Sequence, residues 1–166
     1  MSPNLVYITL NINGGSREVS VFPAESLGDT LRERLGLTGT KLMCNDGACG
    51  SCTVLIDNIP VLSCLTLSIE CEGKKITTIE GLADPQSGEL HPVQQAFVEH
   101  SGMQCGVCTP GAILTAKALL DANPSPTGDE VREALAGNLC RCGNYNRITE
   151  SVLAAAEMMK RGKNNG

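Results

Sequence analysis

The sequence predicts an α+β chain of two domains, a small β-sheet domain over residues 1–80 and a helical domain over residues 81–166. In the first half, apolar residues alternate with polar ones, the period of half-buried strands. In the second half they recur every three or four positions, the period of amphipathic helices. Between the halves, Ala83-Asp84-Pro85-Gln86-Ser87-Gly88 is short, polar and rich in turn formers, which places the boundary there.

Val6, Ile8, Leu10 and Ile12 line one side of a first strand and Val19 and Val21 one side of a second, with Asn13-Gly14-Gly15 as the hairpin between them. Ser26 then suits an N-cap, with Asp29 three residues on. Leu27, Leu31 and Leu35 line one face of a helix that Gly36 ends. Thr53 to Asp57 and Val61 to Ser68 read as strands around Asp57-Asn58, and Lys75 to Ile79 reads as the last strand. Hairpin, helix and cysteine loop follow the order of a β-grasp ferredoxin. Beyond the boundary, Val93, Ala96, Phe97 and His100 share one helical face, and His91-Pro92 stands at its start. Pro110 sits where a first helical residue is favoured, ahead of Ile113, Ala116 and Leu120. Thr127-x-x-Glu130 is a capping box, and Ile148, Val152, Ala155 and Met159 form a last amphipathic helix. Four helices predict a small bundle.

Eight of the nine cysteines fall into two sets of four. Cys44, Cys49, Cys52 and Cys64 have the plant-type spacing for a [2Fe-2S] cluster, C-x4-C-x2-C with a fourth cysteine after eleven residues. Gly47 and Gly50 let the backbone wrap closely, and Cys64 arrives from a later strand. Cys105, Cys108, Cys140 and Cys142 make a second set, C-x2-C followed far downstream by C-x-C. Its first pair falls on one side of a helical turn, and Thr109-Pro110-Gly111 opens a helix whose positive end suits an anionic cluster. Asn138 to Gly143 must bend for Cys140 and Cys142 to converge. Two [2Fe-2S] clusters are therefore expected. A structural zinc site is the competing interpretation, nearer for the second set than for the first.

Composition narrows the function. With two Tyr, two Phe and no Trp the core is lean, so clusters that tie distant segments together would stabilise the fold. A net charge of −5 without a basic tract removes the footprint of a nucleic-acid binder. The start MSPNLVYITLNING lacks the basic and apolar regions of a signal peptide, and no segment is apolar for the length of a membrane span. A cytoplasmic setting with reduced thiols is expected. The chain carries no nucleophile–base pair, phosphate loop or flavin motif, so no catalytic residue is assigned. Cys71 reads as a buried structural thiol with the strand parity of Leu65, Leu67 and Ile69, and neither His91 nor His100 is placed for a Rieske site.

The segments CNDGACGSCTV at Cys44 to Val54, QCGVCTPG at Gln104 to Gly111 and GNLCRCGNY at Gly137 to Tyr145 resemble the small iron–sulfur subunit of the molybdenum hydroxylases, the xanthine dehydrogenase and aldehyde oxidoreductase family. IEGLA at Ile79 to Ala83 and HPVQQAF at His91 to Phe97 extend the likeness over nearly the whole chain. The resemblance implies a plant-ferredoxin-like β-grasp domain followed by a four-helix bundle, whose cluster lies nearer molybdenum. It implies a large subunit holding a molybdopterin cofactor and a medium subunit holding FAD, with this chain passing electrons between them or to an external acceptor. It also implies that Gln104 touches the pterin, that Cys142 lies beside the pterin amino group, and that the loop around Asn138 faces the large subunit. Met43 before the first ligand, and Gly143-Asn144-Tyr145 after the last, depart from the family's usual glycine and Thr-Gly-Tyr. An independent ferredoxin-like carrier and a zinc-stabilised interaction module are the rival functions.

Overall fold

The computed structural model describes residues 4–164, with the side chains of 163 and 164 outside the description; Met1 to Pro3 of the leader reading also lie outside it. Strands β1 (Val6–Ile12) and β2 (Gly15–Val21) form the expected hairpin. Its loop is Asn13-Gly14, both at positive φ, the tight turn whose twist matches paired strands, and Gly15 already pairs with Ile12. The Asn13 side chain also stitches the turn to the far end of the domain: its Nδ2 donates to Thr78 Oγ1 at 3.0 Å, and Thr78 N donates back to its Oδ1 at 2.9 Å.

Ser26 caps helix α1 (Leu27–Asp29) as expected, its Oγ accepting from Asp29 N at 3.0 Å. The winding then widens. Thr30–Arg34 closes as a π-type turn, with Leu35 N reaching Thr30 C=O at 3.1 Å. That keeps Leu27 and Leu31 fully buried against the sheet. Burying side chains of this size contributes roughly 1.5–3 kcal/mol each. Strands β3 (Thr53–Ile56), β4 (Ile59–Leu62) and β5 (Lys75–Thr77) complete a mixed sheet of order β2-β1-β5-β3-β4, in which β1 and β5 are parallel. The inner strand β3, between β5 and β4, is buried at every residue. Val54 and Ile56 join the core under α1, whereas Leu55 points into the helical core.

Two expectations fail here. The strand expected over Val61 to Ser68 stops at Leu62, and a turn takes over because Cys64 must fold back toward Cys52. Cys71 is indeed fully buried, but on a 3-10 turn (Ser68–Cys71); Leu65 and Ile69 are exposed, so the parity argument does not hold.

The helical half contains α2 (Pro92–Glu99), α3 (Thr109–Ala122), α4 (Gly128–Ala134) and α5 (Tyr145–Asn164). Val93, Ala96 and Phe97 of α2, Ile113, Ala116 and Leu120 of α3, and Ile148, Val152 and Ala155 of α5 meet in one core. His100, expected on the buried face of α2, is its exposed C-cap. Thr127 and Glu130 form the capping box of α4. His91 opens α2 with a box of its own, Nδ1 accepting from Val93 N at 3.3 Å while Gln94 Oε1 accepts from His91 N at 3.0 Å.

That cap is pH-sensitive. Burial, aided by the Lys117 cation, holds the His91 imidazole below its ordinary value and so favours the neutral ring, the only form whose Nδ1 accepts. A histidine with a depressed folded-state pKa contributes stability above about pH 6.5 and loses it as pH falls through the folded value. Stability is expected to decline on the acid side of neutrality. His91→Asn, a good cap that does not titrate, should flatten that step in pH-dependent urea melts; an unchanged acid slope in the variant would count against the assignment.

Candidate electron-transfer site

The first cysteine set is carried by the loop between α1 and β3 and by the turn after β4. Asn45, Gly47 and Gly50 take positive φ, so the main chain curls back around the thiols. Asp46, whose carboxylate is held below its usual range by hydrogen bonding from Cys44 and then from Ala48 N–H, clamps the curl. Ser63 fixes the return strand through Oγ to Cys52 C=O at 2.7 Å. The thiols come in two pairs: Cys52 Sγ lies 3.3 Å from Cys64 Sγ, and Cys49 partners Cys44. Burial, then the neighbouring Cys52, pushes the Cys64 thiol up to about 11.

The second set is assembled at helix ends. The expected helical turn over Cys105 to Cys108 is instead an irregular loop, broken by Gly106 at φ 83°. Cys108 is the N-cap of α3. The bend over Asn138 to Gly143 is present, closed by Gly143 N to Cys140 C=O at 3.1 Å. Two pairs form again. Cys108 partners Cys140 inside, both buried, and Cys105 partners Cys142 outside, both exposed. Burial, then Cys140, pushes Cys108 up to about 12, while the N–H of Val107 and then Cys142 hold Cys105 below its ordinary value.

All nine cysteines are free thiols. Among the described residues, no three His, Cys, Asp or Glu side chains are arranged to hold a single metal ion. Four thiols grouped two and two suit a binuclear core, where each iron takes one pair, better than one ion at a tetrahedral centre. The hydroxyl of Thr109, directly after Cys108, is buried without a protein partner, as a donor facing cluster sulfur would be.

The two sets are tied together by backbone. Leu139 N–H, one residue before Cys140, donates to the C=O of Cys49 at 2.9 Å, and Asn138 Nδ2 donates to Gly50 C=O at 3.0 Å. The Asn138 side chain is thus spent inside the chain, buried in the seam between the halves. Its neighbours Leu139, Arg141 and Cys142 do stay exposed. A cavity of about 320 Å³ lies between the sets, lined by Met43, Cys49, Cys105, Cys108, Cys140 and Tyr145 among others. Gln104 is exposed beside the outer pair, and its Nε2 donates to Asn144 Oδ1 at 3.1 Å. Sequence reasoning missed the roles of Leu139 and Asn144 in this assembly. An amide hydrogen bond across the seam leaves no residue-type signature, and Asn144 registered only as a departure from a family pattern.

Fold and site together define a protein with two [2Fe-2S]-binding domains. The 2Fe-2S iron-sulfur cluster binding domain family matches residues 10–77, and the [2Fe-2S] binding domain family matches residues 78–153. The chain is 49% identical over 161 residues to the nicotine 6-hydroxylase small subunit of Paenarthrobacter nicotinovorans, covering 97% of this chain and 94% of that one. A solved chain of quinoline 2-oxidoreductase from Pseudomonas putida 86 superposes with a TM-score of 0.89 at 48% identity, covering 95% of this chain and 98% of that one. The aldehyde oxidoreductase of Desulfovibrio gigas gives a TM-score of 0.87 at 39% identity, with 95% of this chain matching 17% of that much longer one. The protein belongs to the small [2Fe-2S] subunits of the molybdenum hydroxylases, and is an iron–sulfur electron-transfer subunit of such a multi-subunit oxidoreductase. Among the described residues no helix is long and apolar enough to cross a membrane.

Proposed function

We propose that Cys44, Cys49, Cys52 and Cys64 hold one [2Fe-2S] cluster and Cys105, Cys108, Cys140 and Cys142 the other, linking the molybdopterin centre of a large subunit to FAD on a medium subunit or to an external acceptor. The observation that carries this reading is the two-by-two pairing of thiols in each set, joined across the seam by the Leu139–Cys49 hydrogen bond. When bound, each cluster takes up and gives back one electron at a time. The chain's own part is to hold thiolates, exclude water and fix distance. Cys52, Cys108 and Cys140 are buried, which keeps those sulfurs dry. The N-terminus of α3 directs free N–H groups toward the second set, a favourable setting for anionic sulfur.

Gln104 and Cys142 are proposed to meet the pterin, supported by the exposure of the Cys105–Cys142 pair beside Gln104. Exposed Met103, Leu139 and Tyr145 supply apolar surface around that edge, as a docking face requires. Residues 1–80 and 81–166 are proposed as the two domains, each with its own buried core. Nine unbridged thiols favour a reducing, cytoplasmic setting.

Metal analysis tests the reading first: about four irons and about four acid-labile sulfides per chain are expected. Full activity with half that iron, or with stoichiometric zinc, would end the assignment. Gel filtration of the native protein separates the rivals, since a subunit co-elutes with its molybdenum and flavin partners whereas an independent carrier runs alone.

A further inference from the structure

Asn144 is buried at 7% exposure, although its side chain is polar and it lies next to the exposed edge of the second cysteine set. Its Nδ2 donates to the backbone C=O of Ser101 at 3.0 Å. A carbonyl only accepts, so this contact decides which way round the Asn144 amide sits. Oδ1 is thereby turned toward Gln104, where it accepts from Gln104 Nε2 at 3.1 Å. The polarity is transmitted once more. With its nitrogen committed inward, Gln104 presents Oε1 outward, and among the described residues that oxygen has no partner. The same residue is tied to the cluster side, because Asn144 N–H donates to Cys140 Sγ at 3.5 Å. Ser101 itself is held at φ 56°, an uncommon backbone conformation outside glycine that aims its carbonyl into this chain of bonds.

We propose that Asn144 is a positioning residue that fixes the polarity of the Gln104 carboxamide, so that the subunit offers an acceptor, and not a donor, to the N–H groups along the edge of the molybdenum cofactor's pterin. The inference rests on the reading that Gln104 meets the pterin. It assigns a function to the Gly143-Asn144-Tyr145 sequence that departs from the family's usual Thr-Gly-Tyr: the side chain orients the pterin-facing glutamine, while the main chain of the same residue stays on Cys140.

The test uses the complete complex with its molybdenum subunit. Molybdenum retained per cluster pair after gel filtration in mild urea is measured for the native protein, Asn144→Ala, Gln104→Ala and the double variant. Potentials of both clusters are followed by electron paramagnetic resonance during dithionite titration. One oriented hydrogen bond corresponds to about a two- to tenfold change in retention. Asn144→Ala should show that loss in the native background and no further loss in the Gln104→Ala background. Both cluster signals should persist with unchanged potentials, since the Asn144 N–H remains. Equal additional losses in both backgrounds would overturn the positioning role. If Gln104→Ala alone retains molybdenum as the native complex does, the pterin reading itself fails, which is a distinct result. Gln104→Glu supplies an independent variant at an exposed position. Both of its oxygens accept, so it offers an acceptor outward whichever way it turns and has no polarity for Asn144 to fix; it should retain more molybdenum than Gln104→Ala. Retention in Gln104→Glu no better than in Gln104→Ala would overturn the inference even if Asn144→Ala failed to fold.

Discussion

Replacing Cys108 by Ser removes the cluster of the helical domain and leaves that of the sheet domain, so iron falls to about half and one of two resonance signals disappears. The geometry sets this outcome. Cys108 is buried at 8% exposure, caps α3 and partners Cys140, so its loss takes one of the two inner thiolates from the set. Serine puts a hydroxyl of poor affinity for iron where a thiolate is needed, and a buried hydroxyl without a partner costs about 1–3 kcal/mol. Cys49→Ser should do the reverse, losing the sheet-domain cluster alone. The link between the sets runs through the Cys49 carbonyl to Leu139 N–H, and that backbone bond survives a side-chain change. Cys71→Ser is the control. Its sulfur is buried on a 3-10 turn against Leu67 C=O, outside both sets, so iron content and both signals should be unchanged. Loss of both signals from either ligand variant in folded protein would show that the eight cysteines are grouped wrongly.

What the sequence disclosed about this molecule follows the range of the interactions involved. The cap at Ser26, the box at Thr127 and Glu130, and the turn at Asn13-Gly14 each depend on residues within three positions, so their spelling predicts their geometry. Spacing also foretold which thiols would be neighbours, as Cys52 beside Cys64 and Cys108 beside Cys140 show. Where a distant partner decides, local pattern misled. Leu65, Leu67 and Ile69 alternate like a strand, yet the chain turns at Ser63 because its hydroxyl and amide both serve the Cys52 carbonyl. Cys105 and Cys108 have helical spacing, yet the loop opens so that each sulfur faces a cysteine more than thirty residues away. The burial of Asn138 left no local sign, since its side-chain Nδ2 donates to the C=O of Gly50 in the other domain.

That seam gives the largest expected effect on stability. Gly50 holds φ at 69°, and a Cβ placed on it would lie 2.3 Å from the carbonyl oxygen of Gly137 and 2.8 Å from Asn138 Nδ2. Neither neighbour is a flexible tip. One is main chain, and the other is locked by its own bond to Gly50 C=O, which itself sits 2.4 Å from where a Cβ on Gly111 would be. Three backbone segments therefore meet at van der Waals distance with glycine at each. Gly50→Ala should cost about 1–3 kcal/mol from the left-handed backbone alone, with the overlap against Gly137 added to it. Gly73→Ala separates the two contributions. Gly73 has a similar φ of 77° but nothing within 4 Å of the added carbon, so its variant registers backbone strain without collision. Urea melts of the cluster-loaded chain should place Gly50→Ala well below Gly73→Ala. Opening the seam should also part Leu139 N–H from Cys49 C=O, and reduction of the sheet-domain cluster should then lag behind that of the helical one. Equal losses in the two variants, with inter-cluster transfer unchanged, would mean that the halves are not held by this glycine contact.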